Sequence, residues 1–314
     1  MKSHKIYIAG HTGLIGSAIL RRFKGEGFAN IITRTHKELD LTRQADVEDF
    51  FTQERPELTI LAAARVGGIH ANMSYPAQFL FDNLSIQLNV INSSFRAGVK
   101  KLLFLAGACS YPRECPQPIK EEYLLSGALE PTNEAYAVAK IAGIKMCQGY
   151  NNQYGTNFIC AVLANAYGSG DNFDPLDSHV IPALIKKFHC AKINKQESVS
   201  VWGSGNAYRE FIYADDAADS CIFLMGHYNN TEIINVGTAK AISIKELALC
   251  IKDIIGFKGE IIFDSSNPDG MPYKLLDVNK INNLGWQAKT PLVNGIQQTY
   301  RWYLDNIEAI LWEK

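Results

Sequence analysis

A three-glycine turn, Gly10-His11-Thr12-Gly13-Leu14-Ile15-Gly16, stands between the apolar run Lys5-Ile6-Tyr7-Ile8-Ala9 and a helical pattern that runs from Leu14 to Phe23. The run reads as a buried strand. A strand that passes through small residues straight into a helix brings free backbone N–H groups and the positive end of the helix dipole to the turn. That is the geometry that holds the pyrophosphate of a dinucleotide. The competing reading is an ordinary tight turn, and the glycines alone do not separate the two.

A second motif does. Tyr136-Ala137-Val138-Ala139-Lys140 places a tyrosine four residues before a lysine, on one face of a helix and one turn apart. A phenol ionises near ~10 and an ammonium near ~10.4. Side by side, the cation favours the phenolate, which makes the phenol a usable proton donor at neutral pH. Glycines that bind a nicotinamide dinucleotide, followed by such a donor, make a site that reduces a ketone.

The order of elements fits. Asn30 to Arg34 and Leu58 to Ala62 read as the second and third strands, Pro76 to Gly98 as a long helix and Lys101 to Leu105 as the fourth strand. Glu134 to Tyr154 reads as the helix carrying the Tyr-Lys pair, and Asn157 to Val162 as the strand after it. This alternation predicts an α/β fold of the Rossmann type, a doubly wound parallel sheet, over 1–168. Beyond the loop Gly168-Ser169-Gly170-Asp171-Asn172 the alternation loosens. Helices are expected from about His179, over Asp215 to His227, Ser243 to Ile255 and Leu292 to Tyr303. Residues 169–314 therefore read as a smaller substrate lobe, part of whose chain returns to the first domain.

The 314 residues suffice for a large core, and 47% hydrophobic with 20% charged residues is ordinary for a globular chain. A net charge of −1 gives no reason to expect nucleic acid or an anionic membrane as partner. No segment reaches the ~18 apolar residues of a membrane span. The first residues carry no apolar leader, so a cytoplasmic location is expected. Seven scattered cysteines form no CxxC pair and no zinc spacing, which fits free thiols and no metal site.

Cofactor choice rests on the end of the second strand. Thr33-Arg34-Thr35-His36-Lys37 offers no carboxylate before Glu38. Basic residues suit a 2′-phosphate, which favours NADP(H) over NAD, unless Arg34 and Lys37 simply face solvent.

The chain resembles the extended short-chain dehydrogenase/reductases, and among them the GDP-L-fucose synthase family. The resemblance is carried by Leu61-Ala62-Ala63-Ala64-Arg65-Val66-Gly67-Gly68-Ile69, by Leu129 to Lys140, by Asp171-Asn172-Phe173 and by Ser178 to Leu184. Val201-Trp202-Gly203-Ser204-Gly205, Arg209-Glu210-Phe211 and Pro268 to Val278 extend it. It implies conversion of a GDP-linked 4-keto-6-deoxy sugar: epimerisation at C3 and C5, then reduction at C4 with NADPH. It also implies a homodimer, built through the long helix 76–98 and the Tyr-Lys helix, whose apolar spacing permits such a contact.

The same strings imply the site. Tyr136 and Lys140 serve the reduction, with Cys109 as base and His179 as acid for epimerisation. Outside the strings, Cys109 would pass for a small buried residue and His179 for a helix-start polar residue. The cofactor would be held by Gly10, His11, Thr12, Gly13, Leu14, Ile15 and Gly16, then by Arg34, His36, Lys37, Asp40 and Leu41. Leu105, Ala106, Gly107, Lys140, Leu163, Asn165, Ala166 and His179 would complete that wall. Asn165, Lys187, Trp202, Arg209 and Asp269 would contact the GDP-sugar. Left to themselves, Trp202 could be core, and Arg209 could pair with Glu210 or Asp215.

Four positions depart from the family pattern. Lys187 stands where many members carry arginine, which keeps the charge but loses the bidentate fork. Thr12 stands where several carry a basic residue. Most important, the serine or threonine expected four residues before Tyr111 is Gly107, and its neighbour is Ala108. Losing one hydrogen bond at a developing oxyanion costs ~2.7–4 kcal/mol, a factor of ~10²–10³. Water, Ser110 or Thr132 could substitute, or the reaction has changed. Three readings follow: a 4-reductase with epimerase activity, a 4-reductase alone on a larger sugar such as a heptose, and a nucleotide-binding protein with weak catalysis.

Overall fold

The computed structural model describes residues 2–174, 177–267 and 269–308. Pro268, which opens one of the family strings, lies outside them. Strand β1 (Ile6–Ala9) is buried at every position and feeds the glycine turn, and α1 (Leu14–Gly25) leaves it. β2 shrinks to Ile31–Ile32, because the polar and basic residues after it have no apolar face to bury. α2 (Gln44–Glu54) was not expected from sequence. It buries only Val47, Phe50 and Phe51 on an otherwise polar helix, too narrow a stripe to read as periodic.

β3 (Leu58–Leu61) is followed by the short α3 (Ile69–Ser74), then α4 (Pro76–Arg96), β4 (Lys101–Gly107), α5 (Glu134–Tyr154) and β5 (Phe158–Leu163). Proline at the first turn starts α4 without losing a needed N–H. Gly155, in the left-handed conformation at φ 66, stops α5. α4 and α5 pack side by side, and the Gln87 amide donates to the Ala139 carbonyl across them.

The later elements are β6 (Asn165–Tyr167), α6 (Val180–Ile193), β7 (Ser198–Trp202), β8 (Tyr208–Tyr213), α7 (Ala214–His227) and β9 (Ile234–Val236). They end with β10 (Ala241–Ser243), α8 (Ile244–Ile255), β11 (Glu260–Asp264), β12 (Tyr273–Lys274), α9 (Asn279–Asn283) and α10 (Leu292–Asp305).

Six strands form one sheet in the order β2-β1-β3-β4-β5-β9, every neighbouring pair parallel. The order reverses between β1 and β3, so their carboxyl ends open a crevice, the place where open α/β sheets bind ligands. β8 pairs with β6, β10 and β12, and β7 pairs with β11, making two smaller sheets.

Two apolar cores result. One surrounds the six-stranded sheet and includes α7, β9 and residues from Met271 to Trp286. The other lies under α6, α8 and α10. Glu210 ties the small sheet to the large one: its buried carboxylate accepts from the N–H groups of Thr238 (2.5 Å), Ala239 (2.8 Å) and Leu276 (2.8 Å). No helix among the described residues is long and apolar enough to cross a membrane.

Candidate active site

The turn after β1 is built by contacts only glycine allows. Gly10 has φ 85, and a Cβ on it would stand 2.6 Å from the Cα and N of Ala63, just past the end of β3. A Cβ on Gly16 would overlap the Gly10 carbonyl oxygen. Strand, turn and helix therefore close to backbone contact, and the amino end of α1 faces the β1/β3 crevice. A cavity of about 570 Å³ opens there. Of the residues expected to hold the dinucleotide, all border it except His11 and Lys37; Lys37 is exposed.

Arg34 borders the cavity, but its guanidinium is paired with Glu54 at 2.5 Å and lies over the Phe50 ring at 5.5 Å. Glu38 turns away, its carboxylate accepting from the Thr35 N–H (2.7 Å) and hydroxyl (2.8 Å). The crevice, the glycine cradle and the basic rim fit a phosphorylated dinucleotide.

Tyr136 and Lys140 border the same cavity. The Lys140 ammonium lies 5.6 Å from the Tyr136 ring centre and 4.9 Å from that of Phe104, and donates to the Leu105 carbonyl at 3.0 Å. Burial pulls its pKa down to about 8. The expectation for Tyr136 needs correcting. Burial raises its pKa, with the nearby Cys109 adding to the effect, and Lys140 does not offset this. The phenol rests fully protonated, which is the form that donates, and the proton leaves only toward a strongly basic oxygen.

A second cavity of about 320 Å³ adjoins the first. All five expected sugar-nucleotide residues border it: Asn165, Lys187, Trp202, Arg209 and Asp269. Trp202 is 46% exposed, so it is not core. The Lys187 ammonium lies 5.5 Å from the Trp202 ring centre and donates to the Ser200 carbonyl at 3.2 Å. Arg209 pairs with neither Glu210 nor Asp215. It donates to the carbonyls of Tyr208 (2.8 Å) and Asp269 (2.9 Å), while Asp215 holds Arg21 at 2.8 Å. The Asp269 carboxylate is committed to Ser204, accepting from its N–H and its hydroxyl at 2.7 Å each, and so fixes the loop behind Trp202.

Asn133, Asn165, His179 and Lys274 border both cavities and mark where they meet. Cys109 lies in the 3-10 turn after β4, beside the first cavity. Burial raises its thiol, and Lys274 and then Lys140 oppose that. His179 stands at the amino end of α6 without capping it; it opens onto the cavities, and the protein around it lowers its pKa. Thiol and imidazole are therefore both neutral at rest.

Sequence reasoning missed Lys274, Glu130 and Asn133. Lys274 is 9% exposed, with its pKa lowered by burial first; Glu130 is 6% exposed and pairs with Arg113 at 3.5 Å. All three sit inside the strings that carried the resemblance, but only the fold brings them to one place. Of the expected replacements for the missing hydroxyl, the two side chains are out of reach or engaged. Ser110 is fully buried and borders neither cavity, and the Thr132 hydroxyl donates to Glu130 at 3.0 Å.

A parallel sheet with a glycine cradle at its switch point and a Tyr-Lys helix beside it defines a short-chain dehydrogenase/reductase of the extended type. Residues 6–237 match the NAD dependent epimerase/dehydratase family. The chain belongs to that family and, within it, to the GDP-L-fucose synthases. It is 55% identical over 306 residues to the putative GDP-L-fucose synthase 2 of Arabidopsis thaliana, covering 98% of this chain and 93% of that one. Among solved structures it is similar to a GDP-6-OMe-4-keto-L-xylo-heptose reductase from C. jejuni: TM-score 0.94, 41% identity, 98% and 99% coverage. It is also similar to MlghC, a GDP-mannoheptose C4 reductase from Campylobacter jejuni with NADP bound: TM-score 0.89, 42% identity, 97% and 99% coverage.

Proposed function

We propose that this chain is an NADPH-dependent enzyme that reduces the C4 ketone of a GDP-linked 4-keto sugar and inverts C3 and C5 before doing so. One observation carries the reading. Tyr136 and Cys109 border the glycine-lined cavity, and His179 stands where that cavity meets a second one edged by Lys187, Trp202 and Arg209. The relatives named above as GDP-L-fucose synthase and GDP-heptose reductases support the substrate class. In this reading residues 1–168 hold the cofactor and 169–314 supply the sugar-nucleotide side.

NADPH, when bound, supplies the hydride to C4. Tyr136 gives its proton to the C4 oxygen, which becomes basic enough to take it as the carbonyl bond breaks. Lys140, one helical turn after Tyr136, is fixed through the Leu105 carbonyl. For inversion, the ketone acidifies the hydrogens on C3 and C5. Cys109 first gives up its proton to solvent, at a cost that the nearby Lys274 lowers, and His179 takes one up; the thiolate then removes the sugar's proton and the imidazolium returns one from the opposite side. Lys187 and Arg209 set positive charge against the diphosphate, and Trp202 offers a face to the guanine.

A second reading, reduction without inversion, draws on Gly107, Ala108 and the likeness to a C4 reductase. Incubation with a GDP-4-keto sugar in D₂O separates them. NADPH oxidation with deuterium at C3 or C5 supports the first reading, NADPH oxidation without it supports the second, and no oxidation refutes both. A cytoplasmic homodimer completes the proposal. Phe81 and Leu88 on α4 and Val138 on α5 are exposed on the helices that would pair, and the mass in solution tests it.

A further inference from the structure

Reduction leaves the C4 oxygen one donor short. Gly107 sits in extended backbone, φ −118 and ψ 158, and a Cβ there would meet only the Cys109 sulfur, at 3.5 Å. Neither the chain path nor crowding demands glycine at this position.

Asn133 borders the same cavity as Gly107. It borders both cavities and precedes Tyr136 by three residues, at the amino end of α5. Asparagine is among the best helix caps, yet its side chain makes no capping bond. Its amide oxygen is buried with no hydrogen-bond partner among the described residues. A buried amide left unpaired is costly, and native chains rarely keep one without a use. The NH₂ is not among the buried unpaired atoms and donates to no group among the described residues, so its donors are the part of the amide left for a ligand.

We propose that the Asn133 side-chain NH₂ donates to the C4 carbonyl oxygen, the hydrogen bond that Gly107 cannot give. The assignment rests on the reduction reading above. It explains why an ideal capping residue is held away from its helix, between the two cavities. The same donor would stabilise the enolate oxygen during inversion, so it serves both halves of the reaction.

Asn133→Asp tests it. Aspartate keeps the shape and caps helices as well as asparagine, but offers no N–H. The Asp and Ala variants are both expected to fold and to bind NADPH, the Ala variant melting no lower than wild type because it removes the unpaired buried amide. With a GDP-4-keto sugar, their kcat should fall about 10²-fold or more, with the rate of deuterium entry at C3 and C5 falling alongside it. Gly107→Ser in the Asn133→Ala background should restore at least about tenfold of that loss, because the hydroxyl takes over the donor's place. An Asp variant with the wild-type kcat, or no recovery with serine, refutes the assignment while leaving the reductase reading intact. A wild-type enzyme that oxidises no NADPH with any GDP-4-keto sugar refutes both.

Discussion

Replacing Gly16 with alanine isolates the dinucleotide cradle. The new Cβ would overlap the Gly10 carbonyl oxygen and lie 2.6 Å from the Gly10 carbonyl carbon and 3.0 Å from the Cα of His11. All three are backbone atoms, so no side chain can swing aside. The same oxygen accepts the Gly13 N–H at 3.1 Å, so pushing it away loosens the turn itself. Overpacking of this kind costs ~1–3 kcal/mol. If the strain falls on the turn that grips the diphosphate, NADPH affinity drops by a factor of about 5 to 150. Gly13→Ala is the control: its Cβ would meet only the Gly10 oxygen, at 3.6 Å, from an ordinary backbone conformation. That variant should melt as wild type does, so any affinity it loses reports crowding of the ligand and not a strained turn. Fluorescence titration with NADPH and thermal melting read both quantities. A Gly16→Ala chain that binds NADPH and melts like wild type would refute the cradle argument.

Other expectations follow from the same geometry. Burial holds Lys140 near 8 against 10.5 for a free lysine, so between those values the unfolded chain binds the extra proton and stability rises with pH. Lys140→Met should therefore be more stable than wild type at pH 7, by up to about 3 kcal/mol, with the advantage shrinking toward pH 10. Denaturant melts across that range check it, and a constant difference would refute it. Trp202→Ala should raise KM for the sugar nucleotide roughly tenfold and leave NADPH affinity unchanged, since the ring borders only the second cavity. Gly149→Ala, in α5 with nothing within 4 Å of its new Cβ, should raise stability by ~0.5–1 kcal/mol in denaturant melts.

The cofactor half was legible because its physics is local. Ile6–Ala9, Leu58–Leu61 and Phe158–Leu163 are short runs buried on both faces, and such runs show in sequence. Tyr136 and Lys140 were found because helical spacing alone puts them together. The substrate half was less legible, because its strands are short and pair at long range. Nothing near Ile234–Val236 announces that it closes the six-stranded sheet beside β5. Asn133 and Lys274 lie 141 positions apart, and only the fold sets both where the cavities meet. The protonation of Tyr136 was misjudged for the same reason. Spacing places the lysine, but burial by distant segments decides the pKa, and the ammonium turns to the Leu105 carbonyl.

The central claim is that Tyr136 protonates a sugar ketone while NADPH delivers its hydride to the same carbonyl. Turnover of a GDP-4-keto sugar with NADPH deuterated at the transferring position of the nicotinamide tests it directly. Deuterium at C4 of the product with wild type, and a rate at least ~10²-fold lower with Tyr136→Phe, is the expected result. Deuterium absent from C4, or a phenylalanine variant as fast as wild type, would contradict it.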